Sequence, residues 1–338
     1  VSKDIILNNI RKATVTKRNL ISLIQRFAQN SSETLNLSSF LRIFTQVKLE
    51  DIYKHGGWSS LLLASRPNTL NDSANEANLA KWSRGLKNRL LRCDALNYLE
   101  FIQELSAANF CLQEHMNKSL ALMCHYDLWG KTGEELGFSS LAESLKALDE
   151  PLFRSELNEL IPLLINRIQH RQKPMPMMQS NPLLLHARYA REQILAAFGA
   201  HTFTYRAPGR EGVFAIPEQN SELLFVTLTK NTEQFSPSTM YHDYAISEEL
   251  FHWQSQNSAR PDTGRGLSYI QQTQNGKRIF LFVREQTEDA DGNTLGFVNF
   301  GEVYYVSHSG SKPMNINWRL RDPMPAFMWQ DAAKLAVA

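Results

Sequence analysis

The chain has 338 residues, 43% hydrophobic and 21% charged, a mix that supplies two or three packed cores and excludes a disordered or collagen-like chain. Thirty-six basic and 34 acidic side chains leave a net charge of +2, too near neutrality to single out a nucleic-acid binder or to exclude one. Cys93, Cys111 and Cys124 form an odd set without close pairs, which argues against a disulfide framework or a zinc knuckle and fits a reducing cytoplasm.

The first half reads as helical. Thr16 is a candidate N-cap for a helix carrying Leu20, Leu23, Ile24 and Phe27. Short apolar segments at 37–44, 49–53 and 58–63, broken by Gly56-Gly57, predict either a three-helix bundle with Trp58 in its core or a helix-turn-helix unit over 1–66. Residues 67–78 read as a polar linker. A helical connector is expected over 79–173, with Leu96, Leu99, Ile102 and Leu105 on one face, Met116, Leu120 and Met123 on another, and Phe153, Leu157, Leu160, Leu164 and Ile168 on a helix kinked or broken at Pro162. The Pro-rich stretch 173–182 is the clearest boundary.

Beyond it the periodicity changes. One helix is expected over 187–198, stopped by Gly199. Strands are expected over 212–216, 223–230, 250–255, 267–271, 278–285, 297–307 and 314–320. In the last, Met314, Ile316, Trp318 and Leu320 alternate with Asn315, Asn317, Arg319 and Arg321, the period-two pattern of a half-buried strand. Asp291-Gly292 marks a turn between two strands. Strands this short and closely spaced predict a mostly antiparallel sheet curled into a barrel, so the fold class is α+β. No apolar run reaches the roughly 18 residues of a membrane span, and the N-terminus has neither a signal-peptide layout nor an initiator Met, as expected of part of a longer chain.

Catalytic motifs are scarce. Gly130-Lys131-Thr132 resembles the end of a phosphate-binding loop, but His125 stands where that loop needs its first glycine. No Asp or Glu lies two residues before a lysine, no His-x-Lys occurs, and no His-Glu-x-x-His occurs. Asp289-Ala-Asp-Gly-Asn293 hints at a calcium loop, but Phe300 occupies the position of the required Glu. We therefore expect no enzyme activity, metal or cofactor in this chain.

The segment 235–256 is the chemically dense one. It gathers Tyr241, His242, Asp243, Tyr244, Phe251, His252, Trp253, Gln254 and Gln256. Aromatic faces beside amides and a carboxylate suit a planar, hydrogen-bonding ligand such as a flipped nucleobase. They equally suit a strand with Leu250, Phe251 and Trp253 in the core. Arg210, Arg265, Lys277 and Arg278 are candidates to hold DNA phosphates, or solvated surface charges.

Several of these segments resemble one family. They are Pro182-Leu-Leu-Leu-His-Ala-Arg-Tyr-Ala-Arg-Glu-Gln193 and its continuation to Gly199, Arg210-Glu-Gly-Val213, Ser236-Pro-Ser-Thr-Met-Tyr-His-Asp-Tyr244, Ile246-Ser-Glu-Glu-Leu-Phe-His-Trp-Gln-Ser-Gln256 and Tyr305-Val-Ser-His-Ser-Gly-Ser-Lys-Pro-Met314. The family is the C-terminal domain that follows superfamily II helicase modules in bacteria, described in type IV, modification-dependent restriction enzymes as an SRA-like reader of modified cytosine. The resemblance spans about 181–338. More loosely, 1–180 resembles the helical region between helicase and reader, chiefly through Leu49-Glu-Asp-Ile-Tyr53 and Gly56-Gly-Trp58.

The resemblance implies an SRA-like, PUA-like barrel over 181–338. Its expected partners are double-stranded DNA containing methylated or hydroxymethylated cytosine, and helicase and nuclease domains of the same longer chain. No membrane is expected. With that role, the base-binding candidates are Tyr241, Asp243, Tyr244, His252, Trp253 and Gln254. The alternative is a protein-interaction or regulatory segment of a helicase that never touches a base.

Overall fold

The computed structural model describes residues 3–66, 73–176, 178–229 and 243–334. The fold is α+β, with fourteen α-helices and ten strands among the described residues. The chain divides into two compact units, a helical one of residues 1–170 and 192–206 and a sheet-containing one of residues 171–191 and 207–338.

The helical unit holds α1 (Lys3–Thr14), α2 (Lys17–Asn30), α3 (Leu37–Ile43), α4 (Leu49–Lys54), α5 (Trp58–Ser65), α6 (Ser73–Asn88), α7 (Leu96–Ala107), α8 (Lys118–Trp129), α9 (Leu141–Lys146), α10 (Pro151–Asn166) and most of α11 (Arg191–Ala197). Thr16 caps α2 by accepting from the Asn19 amide. Of the expected linker 67–78, residues 67–72 lie outside the described residues, and from Ser73 the chain is already helical. Trp58, Phe40 and Trp82 are fully buried. Pro162 does not break α10, which runs through it from Pro151 to Asn166.

Buried carboxylates organise this unit. Glu156 of α10 accepts from the Tyr53 hydroxyl at 2.8 Å, the Trp58 amide at 3.2 Å and the Ser59 hydroxyl at 2.5 Å. It therefore ties the end of α4 and the start of α5 to α10. One turn on, Glu159 accepts from the Leu37 amide at the start of α3. Gly57 makes the close approach possible. Its φ is +91°, and a Cβ there would lie 2.0 Å from Ser83 Oγ of α6. Gly57→Ala is accordingly expected to cost about 1–3 kcal/mol, read as a lower melting temperature; an unchanged melt would show that Ser83 moves aside freely.

Gly130-Lys131-Thr132 is a helix ending. Gly130 closes α8 in the left-handed conformation. The Lys131 carbonyl accepts from His125 Nε2, and Thr132 exchanges hydrogen bonds with Glu135.

The second unit is built on one eight-stranded sheet. It comprises β3 (Arg188–Tyr189), β4 (Val213–Ile216), β5 (Ser221–Thr229), β6 (Tyr244–Ser247), β7 (Leu250–Gln254), β8 (Arg278–Gln286), β9 (Phe297–Ser309) and β10 (Asn315–Leu320). A two-stranded ribbon, β1 (Lys173–Pro174) with β2 (Leu184–Leu185), forms a separate sheet, its Leu184 carbonyl accepting from the Asn299 side chain of β9. The order is β4-β5-β8-β9-β10-β7-β6, with β3 added along β9. β5 and β8 pair in parallel, and the other pairings are antiparallel.

The expected closed barrel is corrected by this order. β4 and β6 stand at its two ends, and no pairing joins them among the described residues. A parallel pair also needs a long crossover, here from Thr229 to Arg278, which a simple antiparallel meander would not contain. The strand expected over 267–271 is instead α12 (Gly264–Ile270), followed by α13 (Gln272–Asn275). Gly266 and Tyr269, three residues apart, are its buried pair, a helical spacing, whereas a strand would have buried Leu267, Tyr269 and Gln271 on one face. The helix expected from 187 begins at Arg191, because Arg188 and Tyr189 pair with β9. α14 (Ala326–Lys334) packs its Met328 and Ala332 into the core of the sheet and had no counterpart among the elements expected from sequence.

That core contains Trp253, Tyr269 and Trp318 in mutual edge-on or tilted contact, with centroids 5.6–6.1 Å apart. The Asp289 segment is a hairpin turn. The Asp289 carboxylate accepts from the backbone amides of Asp291 and Asn293, and Gly292 has φ +77°.

Candidate functional site

A cavity of about 800 Å³ opens in the sheet unit. One side of its lining comes from Arg210, Glu211, Gly212 and Val213 at the β4 end of the strand order, with Phe225 and Thr227 of β5. The other comes from Asp243 beside β6 and from Trp253, Gln254, Ser255 and Gln256 at the end of β7. Residues from both halves of the strand order therefore line one cavity.

The wall is cationic. Arg191, Arg210, Arg265 and Arg284 line it against two carboxylates, Glu211 and Asp243, among the described residues. Strand register explains one group. Phe225 pairs with Phe282 and Thr227 with Arg284, so the alternation of β5 and β8 puts Phe225, Thr227 and Arg284 on the same face. The Arg284 guanidinium lies 4.5 Å over the Phe297 ring, donates from Nε to Thr227 Oγ1 at 2.9 Å and from Nη1 to the Leu295 carbonyl. The Arg191 guanidinium lies 4.2 Å over Phe225 and donates to the Glu211 carbonyl. The Phe225 and Phe297 rings are 5.3 Å apart, edge to face. Burial, and then the like charge of Arg191, push Arg284 below the usual arginine pKa.

At the other side Asp243 Oδ1 accepts from the Gln254 backbone N–H at 2.8 Å. The Gln256 side-chain amide is buried beside the Tyr269 hydroxyl, and neither is satisfied by a hydrogen bond of good geometry. Among the described residues no group of three His, Cys, Asp or Glu side chains is placed to hold a metal ion.

The sequence candidates divide. Asp243, Trp253, Gln254, Arg210 and Arg265 line the cavity. Trp253 does so from the core, at 4% exposure, so most of its ring is already packed against Tyr269 and Trp318. Tyr244 and His252 lie outside the lining, paired across β6 and β7 with rings stacked at 4.6 Å. His252 Nδ1 also bonds Asn317 Oδ1. Tyr241 lies outside the described residues. Lys277 and Arg278 are committed to carboxylates. Lys277 Nζ is 2.6 Å from the buried Glu222, which Arg265 Nε approaches at 3.7 Å. Arg278 makes a two-pronged ion pair with Glu302.

Arg191, Arg284, Phe225, Phe297 and Gln256 were not singled out as site residues from sequence. For Arg284 a signal existed: a charge ending the apolar run 279–283, on the same alternating face as Phe280 and Phe282. Arg191 carried no such signal.

Residues 183–332 match the model of a family described as a domain of unknown function, DUF3427. The cavity lining falls within that match. None of the curated proteins matches the chain. Among the described residues no helix is long and apolar enough to cross a membrane.

Proposed function

We propose that the sheet unit reads DNA by taking one base, a modified cytosine, out of the duplex and into this cavity. The observation that carries the reading is the lining itself: a carboxylate and amides on one side, arginines over aromatic rings on the other, in a space of about 800 Å³. That volume lies within the range of small-ligand sites, roughly 300–1,000 Å³. A cytosine edge offers an N4 amine that donates to a carboxylate, and ring nitrogen and carbonyl acceptors that take amide N–H groups. Asp243 and Gln254 supply both kinds of partner. Extruding a base costs a few kcal/mol of pairing and stacking, which these contacts must return. The resemblance to readers of type IV restriction enzymes supports cytosine and its modification. It also supports a module that binds and leaves ATP hydrolysis and cleavage to helicase and nuclease domains of the same longer chain.

The test is a gel shift at one fixed salt concentration with duplexes that differ only in carrying cytosine, 5-methylcytosine or 5-hydroxymethylcytosine. A preference of at least about tenfold for a modified duplex is expected. Asp243→Ala, shown to be folded by its melting curve, should erode that preference more than it weakens binding to plain DNA. Equal affinity for all three duplexes overturns the reading.

A further inference from the structure

We propose that the Arg191–Arg284 side of the cavity is a phosphate subsite, which holds the phosphate of the nucleotide whose base enters the other side. This deepens the reading above and rests on a nucleotide being the occupant.

Three observations converge on it. First, the two guanidinium groups are positioned by the fold. Each lies over an aromatic ring, at 4.2 Å and 4.5 Å, and those rings touch at 5.3 Å, so the two cations are held as neighbours in spite of their repulsion. Secondly, the hydrogen-bond acceptors that hold Arg284 are neutral. Thr227 Oγ1 and the Leu295 carbonyl take Nε and Nη1, and Nη2 makes no hydrogen bond among the described residues. A structural arginine in a wall is ordinarily paired as Arg188 is with Glu285 on the same strand, by two bonds of 2.7 and 2.8 Å. Thirdly, among the described residues the cavity wall carries four arginines and two carboxylates, with no lysine or histidine in the lining. Planar guanidinium groups with parallel N–H donors match phosphate oxygens, and an anion between two such cations relieves their repulsion.

A phosphodiester of DNA and a free phosphate share this chemistry, and the measurement separates them. The 338-residue chain is titrated calorimetrically with 5-methyl-2′-deoxycytidine, its 5′-monophosphate, 2′-deoxyadenosine 5′-monophosphate and inorganic phosphate. The methylated nucleotide should bind about tenfold or more tightly than its nucleoside. Arg284→Gln and Arg191→Gln, each checked by a melting curve, should each remove most of that advantage, read as the ratio of nucleotide to nucleoside affinity within the same variant. Inorganic phosphate that competes with the nucleotide, and loses its hold in both variants, would show that the subsite takes the phosphate group on its own. Equal affinity of nucleotide and nucleoside, the absence of nucleotide binding, or folded variants that keep the full advantage would overturn the subsite. If the two monophosphates bind equally and both respond to the arginine variants, the subsite stands and the cytosine reading fails. Should Arg284→Gln fail to fold, Arg191→Gln carries the test by itself.

Discussion

Glu156→Ala should destabilise the helical unit by about 3 kcal/mol or more. The carboxylate accepts three hydrogen bonds, from the Tyr53 hydroxyl, the Trp58 amide and the Ser59 hydroxyl, and all three donors belong to buried residues. Alanine strands the Tyr53 hydroxyl and the Trp58 amide, leaves the Ser59 hydroxyl only its longer bond to the Leu152 carbonyl, and opens a cavity beside Trp58. A stranded buried donor costs about 1–3 kcal/mol, far more than the net gain from making its bond. Burial raises the Glu156 pKa despite these bonds, so the site bears a desolvation cost that its donors offset. Glu156→Gln is expected to be milder, at about 1 kcal/mol. Its amide oxygen keeps two donors, and the Ser59 hydroxyl can turn towards the Leu152 carbonyl, which lies 3.4 Å away, and accept from the new N–H. Amide exchange along α10 is the suitable probe, because it reports on the helical unit alone. An alanine variant whose α10 amides exchange as slowly as the wild type would show that the Glu156 cluster is dispensable.

Much of the architecture was legible because burial leaves a periodic trace. Ile316, Trp318 and Leu320 alternate in sequence and are all buried in β10. The continuous apolar run of β8 lies at the middle of the sheet, buried on both faces. Trp58, placed in the core from its neighbours, is there. What periodicity cannot encode is which strand ends meet. The parallel β5–β8 pair joins segments separated by almost fifty residues, and neither strand marks its partner. Barrel closure failed for the same reason, since an edge strand and a closing strand have the same alternation.

The cavity was half legible. The density of aromatic and polar groups over 235–256 pointed to Asp243 and Gln254, which line it, but density along the chain does not mark how far along the strand the cavity reaches. Tyr244 and His252 stack on each other outside the lining, while Trp253, on the other face of β7, turns into the core. Trp253→Ala is therefore expected to melt the sheet unit by losing contacts with Tyr269 and Trp318, about 3–5 kcal/mol, rather than to alter selectivity. The basic candidates show the same limit. Lys277 and Arg278 looked available in one dimension, and each has a carboxylate partner brought to it by another strand, Glu222 from β5 and Glu302 from β9. Arg284, whose hydrogen-bond acceptors are neutral, looked like the ordinary end of a strand.

Two buried groups of the helical unit should act on its stability in opposite directions as the pH changes. Asp127 is buried on α8, and its Oδ2 accepts from the Tyr98 hydroxyl at 2.6 Å and the Gln193 amide at 2.8 Å. Burial raises its pKa from the ordinary 3.8 to about 7, against the pull of those two bonds and of Arg89. A carboxyl raised in the folded state holds its proton more tightly there than in the unfolded chain. Its contribution is complete below pH 3.8 and is lost as pH rises towards 7, at about 1.4 kcal/mol per pH unit. Two residues away, His125 donates from Nε2 to the Lys131 carbonyl, and burial lowers its pKa from 6.5 to about 4. Its contribution runs the other way, complete above pH 6.5 and lost as pH falls towards 4. Between about pH 4 and 6.5 the slopes of these two groups cancel, so their joint contribution should be nearly flat. Glu192, which burial would raise but which His201 and Arg206 hold down to about 2, adds nothing until the pH falls below 4.5. Asp127→Asn removes one side of this balance. The asparagine oxygen can still accept from Tyr98 and Gln193, so the variant should be more stable than the wild type at about pH 8. As the pH falls from 6.5 to 4 it should lose about 1.4 kcal/mol per unit, the histidine slope now uncovered. Thermal melts of both proteins from about pH 4 to 8 read the difference directly, and parallel curves across that range would mean that Asp127 is ionised in the folded protein throughout.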